Sequence, residues 1–161
     1  MSNRNGSNKT KQLECANDSA SLVVDCSGSV FGRVASFVAK AALKGNKVIL
    51  INAEQSVITG KRENILEEFI WRRSLKNKAN PEHSPKFPRV PHLLVKRMIR
   101  GMLPWKTKRG REAYKRIFAY TGVPKEYISS KAIKIPKSEL KPFRKYMTIL
   151  DICKYFGYKS S

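Results

Sequence analysis

Apolar residues change their spacing several times along this chain, and each change predicts an element. Leu22–Cys26 ("LVVDC") is a short β-branched run of the kind that fills a buried strand. From Phe31 the spacing turns helical. Phe31, Val34, Ala35, Val38, Ala41 and Ala42 fall on one face, with Ser29 placed to cap the start and Gly45 to stop the end. Lys47–Asn52 ("KVILIN") is apolar without alternation, which predicts a strand covered on both sides. Strand, helix and strand within roughly thirty residues make a βαβ unit with parallel strands. Ser56–Thr59 ("SVIT") suits a further short strand.

The pattern becomes helical again from Lys61, with Ile65, Leu66, Phe69 and Ile70 inward and Thr59 able to cap. Asn80–Pro91 holds four prolines and predicts an extended loop. Pro91 then suits the first turn of a third helix, with Leu94, Val95, Met98, Ile99 and Met102 facing the core and Lys96, Arg97 and Arg100 facing away. A turn, "LPWKTKRG", separates it from a fourth helix with Ala113, Tyr114, Ile117 and Phe118 inward. Residues 123–147 hold Pro124, Pro136 and Pro142 among many Lys and Arg, and predict an extended basic arm. "TILDICKYFG" closes the chain as a short helix capped by Thr148, with Asp151 in its first turn and Gly157 as its stop. Residues 1–20 are polar and read as a flexible extension, 21–122 as an α/β core domain, and 123–161 as a basic extension.

Charge changes this picture most. Among 161 residues, 33 are basic and 12 acidic, net +21. Such self-repulsion costs stability unless a polyanion neutralises it, and nucleic acid is the natural one. The excess is uneven: net +3 over residues 1–60, +12 over 61–116 and +6 over 117–161. A core comes first and a binding apparatus follows. No run approaches the roughly 18 apolar residues of a membrane span. Cys15, Cys26 and Cys153 are widely spaced and lie far from His83 and His92, which argues against a zinc site and for free thiols in a reducing compartment.

The strongest candidate site is Arg100–Arg116, "RGMLPWKTKRGREAYKR", where seven of seventeen residues are Lys or Arg. Lys106, Lys108, Arg109 and Arg111 flank Trp105, Thr107 and Gly110, and their charges do not alternate in sign as on a self-stabilising helix. Arg forks grip phosphate oxygens and stack on bases. Met102, Leu103 and Pro104 would pin the turn, and Gly110 lets backbone approach a neighbour closely. Trp105 offers either a core anchor or a stacking face. Elsewhere two readings stay open. "DCSGSVFGR" (Asp25–Arg33) reads as a tight turn with close helix–sheet packing, or as an RNA phosphate site on a helix end assisted by Arg33. Lys61 and Arg62 mark either a solvated helix start or a docking point for an anion. Arg72, Arg73, Arg97, Arg144 and Lys145 join the RNA-facing candidates on charge.

Several motifs in order make the chain familiar. "RGMLPWKTKRG" carries the signature Gly101-Met102-Leu103-Pro104. Gly32-Arg33-Val34-Ala35-Ser36 and Ile58-Thr59-Gly60 add two more elements. Together they resemble the universal large-subunit ribosomal protein family numbered thirteen, over about residues 22–158. The spacing Lys106-Thr107-x-Arg109-Gly110 and the tail "PKSELKPFRKYMTILDICKYFGYK" are similar to its eukaryotic and archaeal branch, although Trp105 stands where eukaryotic members often have His. The resemblance implies a three-layer α/β/α domain with a small, mostly parallel sheet, followed by a basic C-terminal extension ending in a short helix. It implies a structural constituent of the large ribosomal subunit, with large-subunit rRNA and neighbouring ribosomal proteins as partners. No catalysis, cofactor, membrane or homo-oligomer is implied. The expected place is the cytoplasmic ribosome, with nucleolar assembly if the source is eukaryotic. By motif, the resemblance points to Arg33, Lys61, Arg100, Lys106, Lys108, Arg109 and Arg111 as RNA-facing.

Two other classes stand beside this one. A free RNA-binding regulator would share the charge. A small nucleotide-dependent transferase would share the βαβ unit, but the chain lacks G-x-x-x-x-G-K-[ST], a metal cluster and a nucleophile–base pair.

Overall fold

The computed structural model describes residues 21–135, 138–139 and 145–159. Strand β1 (Leu22–Asp25) leads through a turn into helix α1 (Phe31–Leu43), and strand β2 (Val48–Ile51) follows. The two strands pair in parallel, Leu22 opposite Val48 and Asp25 opposite Ile51, as the βαβ pattern predicts. All four β2 residues are buried, because this strand lies at the centre of the sheet. Its second neighbour is strand β4 (Ile117–Ala119), also parallel. This third strand is a correction, since the sequence pattern predicts helix through Ile117 and Phe118. Helix α4 (Lys108–Lys115) ends just before them.

The sheet alternates as a pleated surface must. Val24, Val48, Leu50 and Ile117 join the main core with α1, helix α2 (Arg62–Ser74) and helix α3 (Pro91–Arg100). Val23, Ile49 and Ile51 face the other way and are covered by Tyr120 and Tyr127. A second, two-stranded sheet pairs β3 (Val57–Thr59) antiparallel with β5 (Tyr146–Thr148). Helix α5 (Ile149–Tyr155) follows, capped by the Thr148 hydroxyl, which accepts from the Asp151 N–H at 3.1 Å. The result is a mixed α/β fold with a small, mostly parallel sheet and a terminal helix, as the resemblance implies.

The basic arm does not simply extend. Ile133 bridges to Val24 in parallel beside β1, its N–H donating to the Val23 carbonyl at 2.9 Å. Ser138 accepts the Val30 N–H at 2.7 Å, and both Ile135 and Ser138 are buried. These contacts explain a second correction. Ser29 does not cap α1. Val30 occupies that position without a side-chain cap, while the buried Ser29 hydroxyl lies 3.3 Å from that of Ser138. Likewise Lys61, not Thr59, precedes α2, again without a side-chain cap. Gly28 takes φ +63° in the turn after β1, but Gly32 is exposed with open space beside it, so it serves no close helix–sheet packing. Ile70 and Met102, expected inward, are 43% and 44% exposed.

Candidate nucleic-acid interface

The cationic turn is held by its own covalent neighbourhood. Helix α3 ends at Arg100, and Leu103 is buried two residues after Gly101. The Thr107 hydroxyl then makes two bonds. It donates to the Pro104 carbonyl at 2.9 Å and accepts the Gly110 N–H at 3.2 Å, capping α4. Gly110 is buried against Pro104. A Cβ there would stand 2.5 Å from the Pro104 carbonyl carbon and 3.2 Å from its Cγ. Glycine is therefore required by the close approach of α4 to the turn. The result is a cradle with Lys106, Lys108, Arg109 and Arg111 exposed on its outside.

Trp105 is half-buried, and its ring makes two contacts within the protein. One edge meets Tyr114, with centroids 5.2 Å apart at 86°. The Arg100 guanidinium lies 3.9 Å from its ring centroid. From Tyr114 the contact continues: the Lys96 ammonium sits 5.0 Å from that ring and 5.5 Å from Phe118, and Lys47 sits 5.2 Å from Phe118. Arg100, Trp105, Tyr114, Lys96, Phe118 and Lys47 thus form one ladder of cations and rings across α3, α4 and β4. Each cation–ring contact contributes about 0.5–1 kcal/mol when exposed. More important for binding, each ring restricts where its cation can go. Burial lowers the Lys96 pKa, since desolvation disfavours the ammonium.

Sequence patterning misses the ladder formed by Lys47, Lys96, Tyr114 and Phe118 because it places the last two in the core. A usable signal exists. Once Ile117–Ala119 is recognised as a strand, period-two alternation turns Phe118 outward from buried Ile117.

The remaining candidates divide by position. The Arg109 Nη2 donates to the Leu43 carbonyl at 3.5 Å, tying α4 to the end of α1. Arg33 is exposed near the start of α1. On that helix the Ser36 hydroxyl reaches the Met102 sulfur at 3.9 Å, so this end of α1 adjoins the turn. Arg97 lies over Phe87 at 5.2 Å on α3. Lys61 and Lys145 meet elsewhere. Gly60 donates to the Lys145 carbonyl at 2.9 Å, and Thr59, Gly60, Lys61 and Lys145 line an open depression of about 360 Å³. Arg62 is exposed in the adjoining first turn of α2. Arg72 pairs with Glu68 and lies 5.7 Å from the Phe69 ring, while Arg73 stacks on Phe156 at 4.5 Å. Arg144 lies outside the described residues.

Asp25 and Glu54 are engaged structurally. Asp25 accepts from the Ser27 hydroxyl at 2.7 Å and from Asn52 Nδ2 at 3.0 Å. Burial pushes its pKa up, but these bonds and Lys134 outweigh that and hold it below the ordinary value. Glu54 accepts the Gly122 N–H with both oxygens at 3.1 Å. The His92 ring lies 3.3 Å from the Thr121 hydroxyl. Among the described residues no group of three or more His, Cys, Asp or Glu could hold a metal ion, and no helix is long and apolar enough to cross a membrane.

What the molecule presents, then, is fixed positive charge on a small α/β scaffold. Residues 19–126 match the model of the family described as Ribosomal protein L13. Proteins named large ribosomal subunit protein uL13 are similar over most of their length. That of Methanopyrus kandleri is 40% identical over 141 residues, covering 85% of this chain and 87% of its own. That of Methanocaldococcus jannaschii is 41% identical over 138 residues, covering 85% and 98%. That of Archaeoglobus fulgidus is 37% identical over 140 residues, covering 85% and 88%. The chain belongs to the ribosomal protein L13 family, and its relatives here are archaeal. The family is structural and not enzymatic.

Proposed function

We propose that this protein is a structural constituent of the large ribosomal subunit that binds and stabilises large-subunit rRNA. Family membership carries the reading, and the geometry supplies a mechanism. The Thr107 cap and the Gly110–Pro104 contact fix the backbone that carries Lys106, Lys108, Arg109 and Arg111, and the Trp105 ring restrains the Arg100 side chain. Their ordering entropy is thereby partly lost on folding, before RNA arrives. These Lys and Arg side chains displace cations condensed on the RNA phosphates, and release of those ions favours binding. Arg33, Lys61, Arg62, Arg72, Arg73, Arg97, Arg100, Trp105, Lys106, Thr107, Lys108, Arg109, Arg111, Arg144 and Lys145 are the proposed rRNA-facing set. Thr107 acts in it by shaping the turn. Residues 21–122 form the binding core and 123–161 a basic extension, whose Ile133 and Ser138 bond back to it. The protein works as one copy per particle, among neighbouring ribosomal proteins. Its place is the cytoplasmic ribosome, with nucleolar assembly if the source is eukaryotic.

A sucrose gradient of cell extract tests this reading. We expect the protein to migrate with large subunits and to stay there through a moderate salt wash. Migration in light fractions alone would indicate a free RNA-binding regulator and refute the proposal.

A further inference from the structure

Helix α2 carries a surface of a different kind. Stepping 100° per residue, the buried Ile65 and Phe69 define its inner side, with Arg73 beside them against Phe156. Trp71 falls near the middle of the opposite side and is 61% exposed. Leu75 follows one turn later at 39% exposed, and Ile70 flanks at 43%. Leu75 stands just past Ser74, the last residue of α2. A tryptophan exposed this far, with two large aliphatic neighbours, marks an interaction surface more often than a solvated face.

The charge around it says what kind of partner fits. Glu63, Glu67 and Glu68 lie on the outer side of α2 in the two turns before Trp71. They are three of only 12 acids in a chain of net +21, and α2 itself is neutral overall. Glu68 is paired with Arg72, but among the described residues Glu63 and Glu67 have no cation partner. These two carboxylates, Glu63 and Glu67, disfavour phosphate at this patch. A protein segment with apolar side chains flanked by Lys or Arg would match both the patch and its border.

We propose that the outer face of α2, centred on Trp71, docks a basic segment of a neighbouring protein of the same particle and does not contact RNA. This rests on the proposed function, which also supplies the partner's chemistry. A protein that lives on the same polyanion is basic for the same reason as this chain.

The test uses purified large subunits carrying the full-length protein with photoreactive benzoylphenylalanine in place of Trp71. The exposure of this position leaves the core untouched. On irradiation we expect an adduct that survives ribonuclease, disappears with protease, and maps to one basic segment of a single resident protein. Adding Glu63→Lys and Glu67→Lys should cut that adduct several-fold while incorporation into subunits is unchanged. A ribonuclease-sensitive adduct, a cross-link to a second copy, an unchanged yield after charge reversal, or no adduct in particles that contain the protein would each overturn the docking proposal alone. Absence of the protein from large subunits would overturn the ribosomal reading and this inference together.

Discussion

Replacing Gly110 by alanine sets two effects of opposite sign against each other. Gly110 is the third residue of α4, and in a helix alanine is favoured over glycine by up to ~1 kcal/mol. The new Cβ, however, would sit 2.5 Å from the Pro104 carbonyl carbon and closer still to its oxygen. Ordinary carbon contacts lie near ~3.5–4.0 Å, so about 1 Å of overlap must be relieved by moving backbone. Overpacking of this kind costs ~1–3 kcal/mol. We expect the clash to win, with a net loss of about 1–2 kcal/mol. For a chain of this size that lowers Tm by roughly 2–8 °C. Thermal unfolding followed by circular dichroism reads the shift. The displaced backbone is the Met102–Trp105 turn, so affinity for large-subunit rRNA should fall as well, even well below the new Tm. Gly32→Ala is the internal control. It lies in α1 with nothing within 4 Å of the added methyl, so stability should hold or rise by up to ~1 kcal/mol. If Gly110→Ala were as stable as the parent or more so, the close approach would not govern the turn, and the rigid cradle would be wrong.

Thr107→Val removes the cap of α4 and the bond to Pro104, and should cost about 0.5–2 kcal/mol by denaturant unfolding. Arg109→Gln with Arg111→Gln should flatten the log–log salt dependence of rRNA affinity by about 1.4–1.8 if each side chain neutralises one phosphate, with unfolding nearly unchanged. An unaltered slope would mark both as solvated. Burial pushes the Cys26 and Cys153 thiols up to about 12, so both should resist iodoacetamide at neutral pH until denaturant is added, as mass mapping would show. Asp25 has a folded pKa below its unfolded one. Its stabilising share is therefore present above the unfolded pKa and lost as pH falls through the folded one, and Asp25→Asn should weaken the acid dependence of unfolding in that window.

The βαβ unit was legible because α1 and β2 obey clean patterns, 3.6-residue spacing in one and an unbroken apolar run in the other. The close approach at Gly110 was also legible, while the Thr107 cap was not. Strand β4 was not. Three residues offer too few positions to show a period, and Ala113, Tyr114, Ile117 and Phe118 mimic helical spacing across the junction. The ring ladder was lost with it, since its order follows from Phe118 pointing outward. Ser29 failed as a cap for a non-local reason. Its partner, Ser138, lies 109 residues away, and no local rule announces that contact. The outward Trp71 shows the same limit from the other side. On α2 the spacing puts Ile65, Leu66, Phe69 and Ile70 inward; the first and third are buried, but Ile70 turns out beside Trp71, and only the packing shows how wide the apolar outer patch is.

An atomic structure of the large subunit that contains this protein tests the central claim most directly. We expect Lys106, Lys108, Arg109 and Arg111 to place nitrogens within ~4 Å of rRNA phosphate oxygens while the turn keeps its Gly110–Pro104 contact. A particle in which that turn faces open water, or reaches RNA only after rearranging, would contradict it.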